Sequence, residues 1–140
     1  MQRVICALVF VLTVCLGHGA AWAAGAGQRA LGALSPEDAL EYMLAAKDLV
    51  IVDVATTRWF EREHFEGAVH IPIEELNAAQ EDALYKELPS GRPVILHCRL
   101  GMIVPGTYER VRELRPDIPE IAYIDGKPPF AEYNERVRAR

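Results

Sequence analysis

One cysteine in this sequence is placed for chemistry. In His97-Cys98-Arg99-Leu100-Gly101-Met102-Ile103-Val104, a thiol ends the apolar run Val94-Ile95-Leu96-His97 and opens a short loop containing glycine. Backbone N–H groups of such a loop can curl round the sulfur, and the positive end of a following helix points at it. Both favour the thiolate, which is the nucleophilic form. Gly101 allows the tight turn without a Cβ clash, and Arg99 offers a positive charge to an anionic substrate or to the thiolate itself. The competing reading is a buried, inert strand-end cysteine, since cysteine is among the residue types most often buried. A single C-x-x-G string does not decide between the two. His97 adjoins Cys98, but neighbours along a strand face opposite ways, so it reads as a core histidine and not as the base for Cys98.

The elements that must position this loop follow from the pattern of the chain. Ser35-Pro36-Glu37-Asp38 opens a helix, with a capping serine, proline in the first turn and acids at the positive end of the dipole. Leu40, Met43 and Leu44 fall on one face of it. Leu49-Val50-Ile51-Val52-Asp53-Val54 is a β-branched run of the kind buried on both faces of a parallel sheet. Thr56 or Thr57 caps a short helix through Trp59 and Phe60, which together with Phe65 read as core. Gly67 to Pro72 is a short strand that stops at proline. Glu74 to Leu88 reads as a helix with Leu76, Ala79, Leu84 and Leu88 inward. Val94 to Cys98 is a strand, Thr107 to Leu114 a helix, Ile121 to Ile124 a strand, and Phe130 to Val137 a final helix. Strands alternating with helices predict an α/β fold, a central, mostly parallel sheet flanked by helices on both faces. Ligands of such sheets bind beyond the carboxyl ends of the strands, where Cys98 lies.

The N-terminus reads differently. Arg3, the apolar run Val4 to Leu16 and the small residues up to Ala23-Ala24 match a secretory signal peptide, with cleavage expected after Ala23. The run is shorter than the ~20 residues of a stable membrane-spanning helix, so an uncleaved anchor is the lesser alternative. A lipoprotein site at Cys15 is weaker still. The expected organisation is residues 1–23 signal, 24–34 a flexible Gly/Ala-rich leader, and 35–140 one domain. Cleavage removes Cys6 and Cys15 and leaves Cys98 as the sole thiol, unable to form an internal disulfide. It also removes Arg3 and no acid, leaving 14 basic against 20 acidic residues. An acidic domain without a basic block is a poor nucleic-acid binder. The expected location is outside the cytoplasm, the periplasm of a Gram-negative cell, with no stable membrane span after cleavage. His64, His70 and His97 lack the spacing of a zinc site.

Several segments resemble the rhodanese-like domain family. Cys98-Arg99-Leu100-Gly101 looks like its active-site loop. Leu49 to Val54 resembles its first core strand with Asp53, His64 to Pro72 resembles its His-I-x-G-A-x-x-I-P signature, and Tyr123-Ile124-Asp125-Gly126 resembles its terminal strand and glycine turn. The resemblance spans about Ser35 to Val137. It implies sulfur transfer in two halves: Cys98 takes a sulfane sulfur from a donor such as thiosulfate or polysulfide, and a thiol or cyanide removes it. It implies no metal and no organic cofactor. The implied substrate-binding residues are Arg99, Leu100, Gly101, Met102 and Ile103. Asp53 is expected either to hold the active-site loop or helix ends through backbone hydrogen bonds or to form the turn at the strand end, and His64 to hydrogen-bond structurally. Two positions depart from the family pattern. The sixth loop position is Ile103 instead of a basic residue, and Ala55 stands where arginine is common, with Arg58 as the candidate to replace it. The loop thus has one cation and an apolar rim, which suits a larger thiol, a polysulfide or a protein sulfur carrier better than a small dianion. The alternative is a catalytically idle module that binds a partner or small ligand. A cysteine phosphatase or arsenate reductase needs arginine in an H-C-x5-R loop, and here that position is Val104.

Overall fold

The computed structural model describes residues 27–140. The signal segment, Cys6, Cys15 and the start of the leader lie outside the described residues. Five strands form one parallel sheet: β1 (Arg29–Leu34), β2 (Val50–Asp53), β3 (Val69–His70), β4 (Val94–His97) and β5 (Glu120–Ile124), in the order β1-β5-β4-β2-β3. Five helices connect and follow them: α1 (Pro36–Ala45), α2 (Thr57–Arg62), α3 (Ala78–Glu87), α4 (Val104–Leu114) and α5 (Phe130–Arg138).

The continuous apolar strands are buried on both faces because alternate side chains feed two cores. Val50, Val52, Val94, Leu96 and Ile121 pack on one side with Tyr85 of α3 and Val104, Tyr108 and Val111 of α4. Ile51, Ile95, Ala122 and Ile124 pack on the other with Ala39 and Met43 of α1, Phe65, and Phe130 of α5. His97 follows this alternation. It is fully buried, with its ring edge-on to Phe65 and Phe130 at centroid distances of 4.8 and 5.5 Å.

Three expectations are corrected. Arg29–Leu34, read as part of a flexible leader, is edge strand β1, in parallel register with β5. It is pinned by Arg29 N–H to the Pro119 carbonyl at 2.8 Å and by Gly32 N–H to the Tyr108 hydroxyl at 3.1 Å. Its register slips between Ala30 and Gly32, where Gly32 has φ +74°. A glycine at such an irregularity gives a weak strand signal in sequence. The expected helix from Glu74 to Leu88 is broken: a 3-10 turn at Ile73–Glu75 precedes α3, which restarts at Asn77 through a capping box with Gln80. Its inward residues are Tyr85 and Leu88 with half-buried Leu84, while Ala79 is exposed. Finally, α4 begins at Val104, three residues before the expected start, because Pro105 is compatible with a first turn. No helix among the described residues is long and apolar enough to cross a membrane.

His97 makes stability depend on pH. Burial pushes its imidazole below the ordinary value, and the Asp53 carboxylate offsets only part of that. The Asp53 oxygen is 3.8 Å from Nε2, beyond hydrogen-bond reach, and neither ring nitrogen has a hydrogen-bond partner among the described residues. The folded state therefore holds the ring neutral, whereas the unfolded chain takes up a proton near pH ~6.5. Stability is complete above that pH and falls as pH drops below it, by at most about 1.4 kcal/mol per unit from this group. Urea denaturation between pH ~7.5 and ~5.5 should show this decline, and His97→Leu should flatten it.

Candidate active site

The connections leaving β2 and β4 diverge. From β2 the chain moves outward to β3, and from β4 it moves the other way to β5, although β2 and β4 are neighbours. Such a reversal leaves a crevice at the carboxyl ends of the two strands. A cleft of about 400 Å³ lies there, lined by Asp53 at the end of β2 and Ala55 after it, Cys98, Arg99 and Leu100 after β4, Trp59, Arg62 and Glu63 at and after α2, and Lys127 and Phe130 after β5.

Cys98 is buried in this cleft, with 3% of its surface exposed. Residues 99–103 form the loop to α4, and the Gly101 N–H donates to Cys98 Sγ at 3.2 Å. Gly101 has φ +79°, and a Cβ there would lie 2.5 Å from the backbone nitrogen of Gly126. The loop thus turns back onto the sulfur while packed directly against the turn after β5, where only glycine fits. Gly126 in turn has φ +129° and sits where a Cβ would meet Pro36 Cγ at 3.2 Å. The glycine turn after β5 is a spacer between the cysteine loop and the start of α1.

The rim of the cleft is cationic. The Arg99 guanidinium lies over the Trp59 ring, 3.7 Å from its centroid, and that of Arg62 lies at 4.8 Å. Trp59 thereby holds two cations beside the cleft, an arrangement favoured by the negative faces of the ring. Helix α2 is itself held by a stack of three rings: Phe60 lies between His64 and His70, with both centroid distances 4.2 Å and both pairs nearly parallel. His64 Nδ1 also pairs with the Phe60 carbonyl at 2.7 Å, and His70 Nε2 with the Ala55 carbonyl at 2.9 Å. Asp53 is buried, and its Oδ1 accepts the Ala55 N–H at 2.9 Å, fixing the backbone at the cleft's edge.

Of the residues singled out from sequence, Asp53, Cys98, Arg99 and Leu100 line this cleft together. Met102 and Ile103 line a smaller hollow of about 150 Å³ with Thr56 and Glu74, and this hollow shares Ala55, Trp59, Cys98, Arg99 and Leu100 with the cleft. Leu100 and Met102 are exposed, at 49% and 80%, whereas Gly101 is buried beneath them. Arg58 does not line the cleft; its guanidinium sits 5.9 Å from the Trp59 centroid. His64 is outside it as well and acts on α2 instead. Sequence reasoning missed Trp59, assigned to the core but half-buried at the cleft, and also Arg62, Glu63, Lys127 and Phe130. The signal for Arg62 was present in its i,i+3 spacing from Trp59 on one helix. Lys127 carried no local signal, since only the sheet brings it near Cys98.

Comparison with known proteins agrees with this architecture. The rhodanese-like domain family matches residues 35–126. No curated protein matches the sequence. Among solved structures, a protein of Staphylococcus saprophyticus superposes with TM-score 0.55 at 16% identity, covering 74% of this chain and 93% of its own. A rhodanese-related protein of Thermoplasma volcanium gives 0.53 at 17% identity, covering 74% and 91%. The rhodanese-like domain of an Anabaena protein gives 0.53 at 14% identity, covering 74% and 73%. At these identities the likeness is one of fold.

Two variants probe the site. Gly101→Ala must displace the turn at Gly126 and adopt an unfavourable φ, so it should lower stability by about 1–3 kcal/mol. By disturbing the N–H donated to Sγ, it should also slow alkylation of Cys98 by iodoacetamide at neutral pH. Trp59→Leu releases Arg99 and Arg62 from the ring. It should reduce the preference of Cys98 for anionic iodoacetate over neutral iodoacetamide by about two- to tenfold, the worth of such a contact.

Proposed function

The chain belongs to the rhodanese-like domain family, and from that premise we propose that it moves sulfane sulfur through a persulfide on Cys98. The observation that carries this reading is the Gly101 N–H donated to a sulfur held in a cation-rimmed cleft. In the first half, the Cys98 thiolate attacks the outer sulfur of a donor such as thiosulfate. A sulfur–sulfur bond forms to Cys98, the donor's own bond to that sulfur breaks, and sulfite leaves with the electron pair. In the second half, cyanide or a thiolate attacks the terminal sulfur and Cys98 departs as thiolate. The N–H donor and the nearby cations offset the negative charge on the sulfur at each stage. No metal or organic cofactor enters these steps. Arg62 and Lys127 supply, from other elements, positive charge that Ala55 and Ile103 do not.

Export to the periplasm is part of the proposal, supported by the apolar run after Arg3 and the small residues before Ala24. The partners are then a small sulfur-containing anion or thiol, or a protein sulfur carrier. The second reading, an idle binding module, draws on the low exposure of Cys98. A cysteine phosphatase is not favoured: Val104, where that chemistry needs arginine, is fully buried in the core.

Intact mass spectrometry of the protein from the periplasmic fraction, after exposure to thiosulfate or polysulfide, tests the proposal. The expected result is a chain lacking the first 23 residues and heavier by one sulfur. Cyanide should remove that sulfur, and Cys98→Ala should not acquire it. An unchanged mass with every donor would favour the idle module.

A further inference from the structure

The charges round the cleft are of both signs, and they are not spent on one another. Arg62, Arg99 and Lys127 line it, and so does Glu63, the residue following α2. Among the described residues none of these four is in an ion pair, although ion pairs form elsewhere on the surface. Glu63 also lines both of the grooves that adjoin the cleft across Phe130, so it stands where the cleft opens outward. The volume of about 400 Å³ lies within the range, roughly 300–1,000 Å³, of sites that enclose organic molecules. A small dianion would leave most of it empty, and Glu63 would repel it.

We propose that the cleft selects an organic persulfide or thiol of the α-amino-acid class, with its carboxylate on the cationic rim of Arg62, Arg99 and Lys127 and its ammonium on Glu63. This rests on the Cys98 persulfide reading and names the substrate for it. The transfer balances without another reactant. The Cys98 thiolate attacks the outer sulfur of R–S–SH, a new sulfur–sulfur bond forms to Cys98 as the donor's own sulfur–sulfur bond breaks, and R–S⁻ leaves with the electron pair. The proton stays on the transferred sulfur until it exchanges with solvent.

The test compares the persulfides of cysteine and of N-acetylcysteine as donors, with thiosulfate as a third. The wild-type protein should prefer the free amine. Glu63→Gln should reduce that preference by about threefold or more, the scale of a partly exposed charge pair. The same variant should raise kcat/KM for thiosulfate, because a repelling charge has gone. A ratio of the two persulfides unchanged by Glu63→Gln would overturn the inference while leaving the Cys98 reading intact. A fall with all three donors would overturn it too, because it would show Glu63 to be structural. If no donor loads Cys98 in the wild-type protein, it is the persulfide reading itself that fails.

Discussion

The loop after Cys98 is seated on a backbone contact in which no side chain takes part. Gly101 lies so close to Gly126 that a Cβ at Gly101 would overlap the Gly126 nitrogen. Packed in this way, residues 99–103 turn back with the Gly101 N–H donated to Cys98 Sγ. Gly126 itself is pressed against Pro36, the first residue of α1. Three segments far apart in sequence therefore meet as bare backbone or proline ring. The parallel register of β4 and β5 brings them to the same end of the sheet. Close packing of this kind transmits small displacements, because interiors have little free volume to absorb them.

The sheet order supplies the rest of the site. Because the chain departs from β2 and β4 in opposite directions, the space above their ends is open. Asp53 holds the β2 side of the opening by accepting the Ala55 N–H. Helix α2 covers part of it and is held in place by the stack of His64, Phe60 and His70. That stack braces the helix that carries Trp59 and Arg62. The cationic character of the rim is therefore assembled from three connections, with only Arg99 coming from the cysteine loop itself.

Much of this was legible in the chain because it is local. The apolar β-branched runs gave β2, β4 and β5, since a strand buried on both faces needs no alternation. Ser35-Pro36 marks the start of α1, and Cys98 with Gly101 marks the loop that turns back on the sulfur. Strand β1 was missed because Arg29–Leu34 is an edge strand with a glycine irregularity and little side-chain signal. Trp59 reads as core because a large aromatic residue near apolar neighbours has the same pattern whether it fills a core or carries two guanidiniums.

The sequence by itself determined the α/β alternation, the end of β2 at Asp53, and the position of Cys98 just past the end of β4. These rest on hydrophobic runs and turn residues within a few positions of one another. Only the tertiary structure decided which charges surround Cys98. Arg62, Glu63 and Lys127 reach one cleft with Arg99 through the strand order and the packing of α2. Arg58, next to Trp59 in sequence, does not line it. The physical reason is that a short helix turns by about 100° per residue, so which of its arginines meets the sulfur depends on how the helix is rotated against the sheet.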